Sequence, residues 1–78
     1  MASVGSKVRS VSSVPWTVWG AQRRGSAWVQ VGVVPGREYE VVSLSETVVV
    51  TGDVVNGWLG VKCGVTGEVF AVSPTDVV

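Results

Sequence analysis

Cys63 is the only thiol in the sequence and histidine is absent, so neither a His/Cys zinc cluster nor a histidine-based triad can be assembled within one chain. Lys62 beside it would favour a thiolate, but Cys63 alternates in phase with Leu59 and Val61 and is expected as a buried structural thiol. Glu38 and Glu40 also alternate, placing two carboxylates on one face, as paired acid–base chemistry requires. Nothing near them in sequence supplies a pocket or a second catalytic group, so they read as solvated. No catalytic residue, metal-ligand set or cofactor motif is found, and an enzyme is not expected.

The aromatic residues carry the remaining possibilities. Trp16 and Trp19 stand three apart beside Pro15, and with Trp28, Arg23 and Arg24 they would form an aromatic and basic surface able to stack on bases or sugars. The alternative is that they plug the open end of a barrel. A net charge of zero lacks the phosphate attraction nucleic-acid binding needs, so a protein partner, self or other, is expected instead.

The elements that must position these side chains are strands. Of 78 residues 22 are Val, none is Ile and two are Leu, and a β-branched apolar complement packs on pleated sheets better than in helices. Residues 1–13 are small and polar with no sustained period, and read as a flexible N-terminal arm. Residues 14–78 then form one domain. Trp16-Thr17-Val18-Trp19 reads as a short strand or turn and residues 20–26 as a loop. Residues 27–34 read as a strand ending at the Pro35-Gly36 turn, with a second strand over residues 39–44 and a third over residues 47–51. Asn56-Gly57 is the strongest hairpin signal, because both central positions of a type I′ turn take positive φ. A fourth strand runs from Trp58 to Cys63, a turn covers residues 64–67, and a fifth strand covers residues 68–72. Ser73-Pro74-Thr75-Asp76 fits a 3₁₀ turn before Val77-Val78 returns to the sheet. Five or six short antiparallel strands separated by Gly and Pro turns give an all-β fold, a small barrel or sandwich, with closure favoured because Val-rich open edges invite aggregation.

Charge is divided along the chain. Residues 1–37 hold Lys7, Arg9, Arg23, Arg24 and Arg37 and no acid, while six acids and Lys62 lie beyond. Pairing across strands is one reading. A basic arm docking on an acidic body, in the same chain's copies or another partner, is the other. A lone thiol closes no internal disulfide, so at this size homo-oligomerisation is a further source of stability. No run suits a secretory leader or a bilayer span, so a soluble protein, cytoplasmic when made and with no membrane partner, is expected.

Over residues 27–78 the order of motifs resembles the Src-homology-3 fold, particularly its bacterial variety. The residues that carry the likeness are Val29 to Val42 around Pro35-Gly36, Asn56-Gly57-Trp58 followed by Val61, and the stretch from Thr66 to Val77. The segment from Ser45 to Val55 is longer than the family's loop and reads as an inserted hairpin. The resemblance implies a barrel with a 3₁₀ turn near its C-terminus and a groove edged by Trp58, with Tyr39, Phe70 and Trp28 as further ligand-contacting residues. Asp76 and Ser73 stand where peptide-binding members carry Tyr and Pro, and residues 14–26 are basic where those members are acidic, so polyproline recognition is not implied. Bacterial members bind cell-wall peptides, which become a candidate ligand. The resulting expectation is a non-enzymatic interaction module. The competing one is a small viral or phage structural protein, virion-associated, whose Trp16, Trp19, Arg23 and Arg24 and basic arm contact neighbouring subunits.

Overall fold

Alternating small and β-branched residues give six strands in the computed structural model, which describes residues 3–78. They are β1 (Lys7–Val8), β2 (Trp19–Arg24), β3 (Ala27–Gly32), β4 (Tyr39–Val50), β5 (Asp53–Cys63) and β6 (Val69–Val72). All pair antiparallel in one sheet of order β1-β4-β5-β6-β2-β3. The all-β class and the number of strands follow the sequence reading. The edges are β1 and β3.

Residues 20–26, expected as a loop, instead form most of β2 and its turn into β3. Gly25 has φ +63° and Ser26 does not share it, the pattern of a type II′ hairpin with Gly at the first central position. Glycine also suits the interior of β2. A Cβ on Gly20 would run into the Phe70 ring and the Ala71 carbonyl oxygen, so only Gly lets β2 come down on β6. Pro35-Gly36 turns as expected: the Arg37 N–H donates to the Val34 carbonyl at 3.3 Å, with Gly36 at φ +79°. The strands on either side do not pair, however, since β3 ends at one edge and β4 lies beside β1.

The two strands expected over residues 39–44 and 47–51 are one, β4, which pairs with β5 through three register shifts. Their hairpin turns at Thr51-Gly52, with φ of 49° and 86°, and not at Asn56-Gly57. Asn56-Gly57 sits inside β5 as a bulge opposite Thr47: Gly57 takes φ +82° and the Thr47 hydroxyl donates to Asn56 Oδ1 at 2.8 Å. The reason is burial. The longer hairpin pairs Val48 with Val55 and Val41 with Val61 and buries Val41, Val48 and Val61 almost completely. A turn at 56–57 would leave β4 without that partner. Residues 45–55 are thus the outer part of the β4–β5 hairpin.

The segment expected as a flexible arm is bound to the body over its described residues, while Met1 and Ala2 lie outside them. The Gly5 N–H donates to the Val41 carbonyl and the Val41 N–H to the Ser6 carbonyl, both at 2.8 Å, and Arg9 and Val78 exchange two bonds at 2.9 Å. Val8 is buried. Lys7 pairs with Glu40 and Arg9 with Glu38, each at 3.1 Å, so cross-strand pairing accounts for the basic residues of this segment. Local periodicity could not reveal this, because the partners lie 33 and 29 residues away. Where a 3₁₀ turn was expected, the chain makes one hydrogen-bonded turn, the Asp76 N–H donating to the Ser73 carbonyl at 3.0 Å, and Val77 then bridges to Ser10.

The sheet curls around a core of Val8, Val18, Val33, Tyr39, Val41, Leu59, Val61, Cys63, Phe70, Val72 and Val77. A second, smaller cluster joins Ala21, Val48 and Ala71, with Trp28, Val50, Val55 and Trp58 packed against it. That second cluster holds the outer part of the β4–β5 hairpin against β2 and β3.

Candidate aromatic docking site

Tyr39 and Phe70, expected as ligand contacts, belong to the core. Both are buried, their rings meet edge to face at 5.5 Å, and the Tyr39 hydroxyl accepts the Val34 N–H at 2.9 Å. Their strand phase turns them inward, beside Val41 and Val72. Phe70 nonetheless lines a shallow pocket of about 170 Å³ that Trp28 also borders.

The four tryptophans are brought to one side of the molecule's β2–β3 layer. Trp28 and Trp58 are half-buried on the second cluster. With Trp19, Gln30 and Val50 they line a slot of about 220 Å³ between β3 and the tip of the β4–β5 hairpin. Trp19 continues this surface by stacking on Trp16, with ring centroids 5.5 Å apart and planes at 30°. The Trp19 Nε1–H donates to the Trp16 carbonyl at 3.2 Å. Beyond Trp16 opens an apolar groove of about 380 Å³ lined by Pro15, Trp16, Val33, Val34 and Pro35. No titratable side chain lines it, so its chemistry is burial and stacking.

Trp16 is held there at some cost. Its φ is +63°, a left-handed conformation that a bulky residue rarely adopts, and 73% of its surface is exposed. Its ring lies over Gly32, where a Cβ would stand 3.0 Å from the ring, so Gly32 provides the seat. Pro15 and Trp16 form a turn whose positive-φ position favours Gly or Asn over a bulky aromatic, and such strain concentrates at functional positions. The reading of Trp16 and Trp19 as a plug does not suit a ring this exposed.

Arg23 and Arg24 lie at the opposite end of β2 from Trp19, about 13–16 Å away along the strand. Both are exposed. Arg23 donates to the Gly25 carbonyl at 3.0 Å and Arg24 to Gln22 Oε1 at 2.8 Å. Register places Arg23 across from Trp28, so the expected basic and aromatic surface divides into a Trp16–Trp19 end and an Arg23–Trp28 end.

The edge strand β3 runs between these two ends. The Val33 N–H bonds the Val18 carbonyl, which sets the alternation: Val31 and Val29 face β2, whereas the backbone groups of Trp28, Gln30 and Gly32 point away from the sheet. Slot, open edge and groove are therefore contiguous through Gln30, Gly32 and Val33.

Cys63 is buried, as expected. Burial pushes its thiol up, but hydrogen bonds from the Thr66 side chain and backbone and from the Val65 backbone, together with the Arg37 charge, outweigh it and bring it down from 9.0 to about 7. Arg37 Nη1 stands 3.9 Å from its Sγ. Glu38 and Glu40 hold Arg9 and Lys7 and are not a free carboxylate pair.

Pro15, Gly32, Val34 and Pro35 were not singled out as site residues from sequence. The prolines are legible as chain breakers, and only the folded chain brings Pro15 and Pro35 to one groove. No protein-family model, curated protein or solved structure matches the chain.

Proposed function

We propose that the protein is a non-enzymatic interaction module that docks an extended, apolar segment of a protein partner along β3. In this reading the segment's backbone pairs with the outward amides and carbonyls of Trp28, Gln30 and Gly32, and its side chains fill the tryptophan slot and the Trp16 groove. Strand addition of this kind takes affinity from main-chain hydrogen bonds and selectivity from side-chain pockets. The observation that carries it is Trp16, exposed and held at positive φ over Gly32 beside an open strand edge. A cell-wall peptide is a narrower version of the same ligand class.

The test is selection from a random peptide library followed by affinity measurement on variants. Peptides selected by the wild type are expected to lose about tenfold or more on Trp16→Ala, as buried aromatic anchors do. Val65→Ala, in the exposed turn after β5, should leave affinity unchanged. Equal affinity for wild type and Trp16→Ala, with the fold intact by circular dichroism, would sink the reading.

A further inference from the structure

We infer that one occupant of the β3 edge is a second copy of this chain, paired antiparallel with it about a two-fold axis at Gln30. The inference rests on the reading of β3 as a docking edge and names its partner. Native sheets protect their edges with charge, proline, bulges or very short strands. The β1 edge is protected in this way: it is two residues long and carries the Lys7–Glu40 pair. The β3 edge is six residues, Ala27-Trp28-Val29-Gln30-Val31-Gly32, with no charge, no proline and regular pairing to β2 throughout.

The sequence of β3 is also complementary to itself. Because the outward backbone groups belong to Trp28, Gln30 and Gly32, an antiparallel copy forms hydrogen-bonded pairs only in registers that match these positions to one another. Centring on Gln30 sets Gln30 opposite Gln30 of the second copy, and Trp28 opposite Gly32 of that copy, twice over. Gly32 offers no side chain to oppose the indole, which meets instead the exposed Trp16 ring already seated on that glycine. On the other face Val29 falls opposite Val31, a β-branched pair. No like charges meet along the strand, since β3 carries none and Arg23 and Arg24 lie beside Trp28 and Ala27 on β2, which is on the other side of β3 from the second copy. The pairing joins two six-stranded sheets into one of twelve and covers both unprotected edges at once.

The test is a charge exchange at Gln30, an exposed position whose side chain supports no contact in the core. Sedimentation of the full chain over a range of concentrations is expected to show a dimer. Gln30→Lys alone and Gln30→Glu alone, each folded by circular dichroism, place like charges across the axis and should weaken dimerisation by about tenfold or more. Mixing the two variants should restore a heterodimer. A wild type that stays monomeric at all concentrations overturns the inference, as does a dimer that both single variants retain. Peptide affinity of the wild type, measured below any concentration at which it dimerises, separates this result from the fate of the docking edge: a monomer that binds selected peptides through Trp16 keeps the proposed function, and one that binds none loses it.

Discussion

Trp16 concentrates the case for a binding surface in one residue. Its ring could stack on Trp19 and cover Gly32 only because the backbone there accepts positive φ, a conformation costing on the order of 1–3 kcal/mol for a non-glycine residue. Trp16→Ala and Trp16→Gly both delete the ring, but only glycine relieves the backbone. The glycine variant is therefore expected to be more stable than the alanine variant by about 1 kcal/mol in urea unfolding. Equal stabilities would mean that the left-handed conformation is not strained. Cys63 gives a second expectation at this scale. Its thiol titrates near 7 in the folded chain against 9.0 unfolded, so between these values the unfolded state binds the extra proton and stability rises with pH. The contribution is complete above pH 9 and is lost as pH falls through about 7. The stability difference between wild type and Cys63→Ala should follow this slope, and a difference flat from pH 6 to 10 would contradict it.

Turns and edges decide the architecture at the level of elements. The β4–β5 hairpin turns at Thr51-Gly52 although Asn56-Gly57 has the better local chemistry, because pairing of β4 with β5 over their whole length outweighs a turn preference. Thr51 is β-branched and sits at φ +49°, where Asn is far better tolerated. Thr51→Asn is expected to raise stability by about 1 kcal/mol, read as a shift of the chemical unfolding midpoint with unchanged cooperativity. A loss of stability would mean that the turn lies elsewhere. Gly25-Ser26, by contrast, was a legible type II′ signal in a stretch whose two arginines and two glycines looked like a loop. The alternation of Trp19, Ala21 and Arg23 against Gly20, Gln22 and Arg24 is too polar to stand out as a strand. It becomes one because Gly20 and Ala21 are small enough to lie against Phe70 and Ala71.

At the scale of the whole molecule, the N-terminal segment is a structural member. It seals the outer side of β4 at Val41, exchanges bonds with Val78, and buries Val8. Deleting residues 1–11 removes that contact, and the loss of Val8 burial alone, about 2 kcal/mol, should lower the melting midpoint by roughly 10 °C. An unchanged midpoint would restore the mobile-arm reading. The same lacing neutralises Lys7 and Arg9 against Glu40 and Glu38, which removes much of the basic character that the first half of the sequence displays on its own. The sequence by itself determined that this is an all-β domain, that Leu59, Val61 and Cys63 face inward, and that Pro35-Gly36 turns, because composition, alternation and turn chemistry are local properties of the chain. Tertiary structure alone decided which strands are neighbours, which of two glycine dipeptides closes the long hairpin, and which aromatics are buried. Tyr39 and Phe70 went to the core while Trp16 stayed outside, since those outcomes depend on contacts between residues far apart in sequence, where burial of many side chains at once overrides what any short segment prefers.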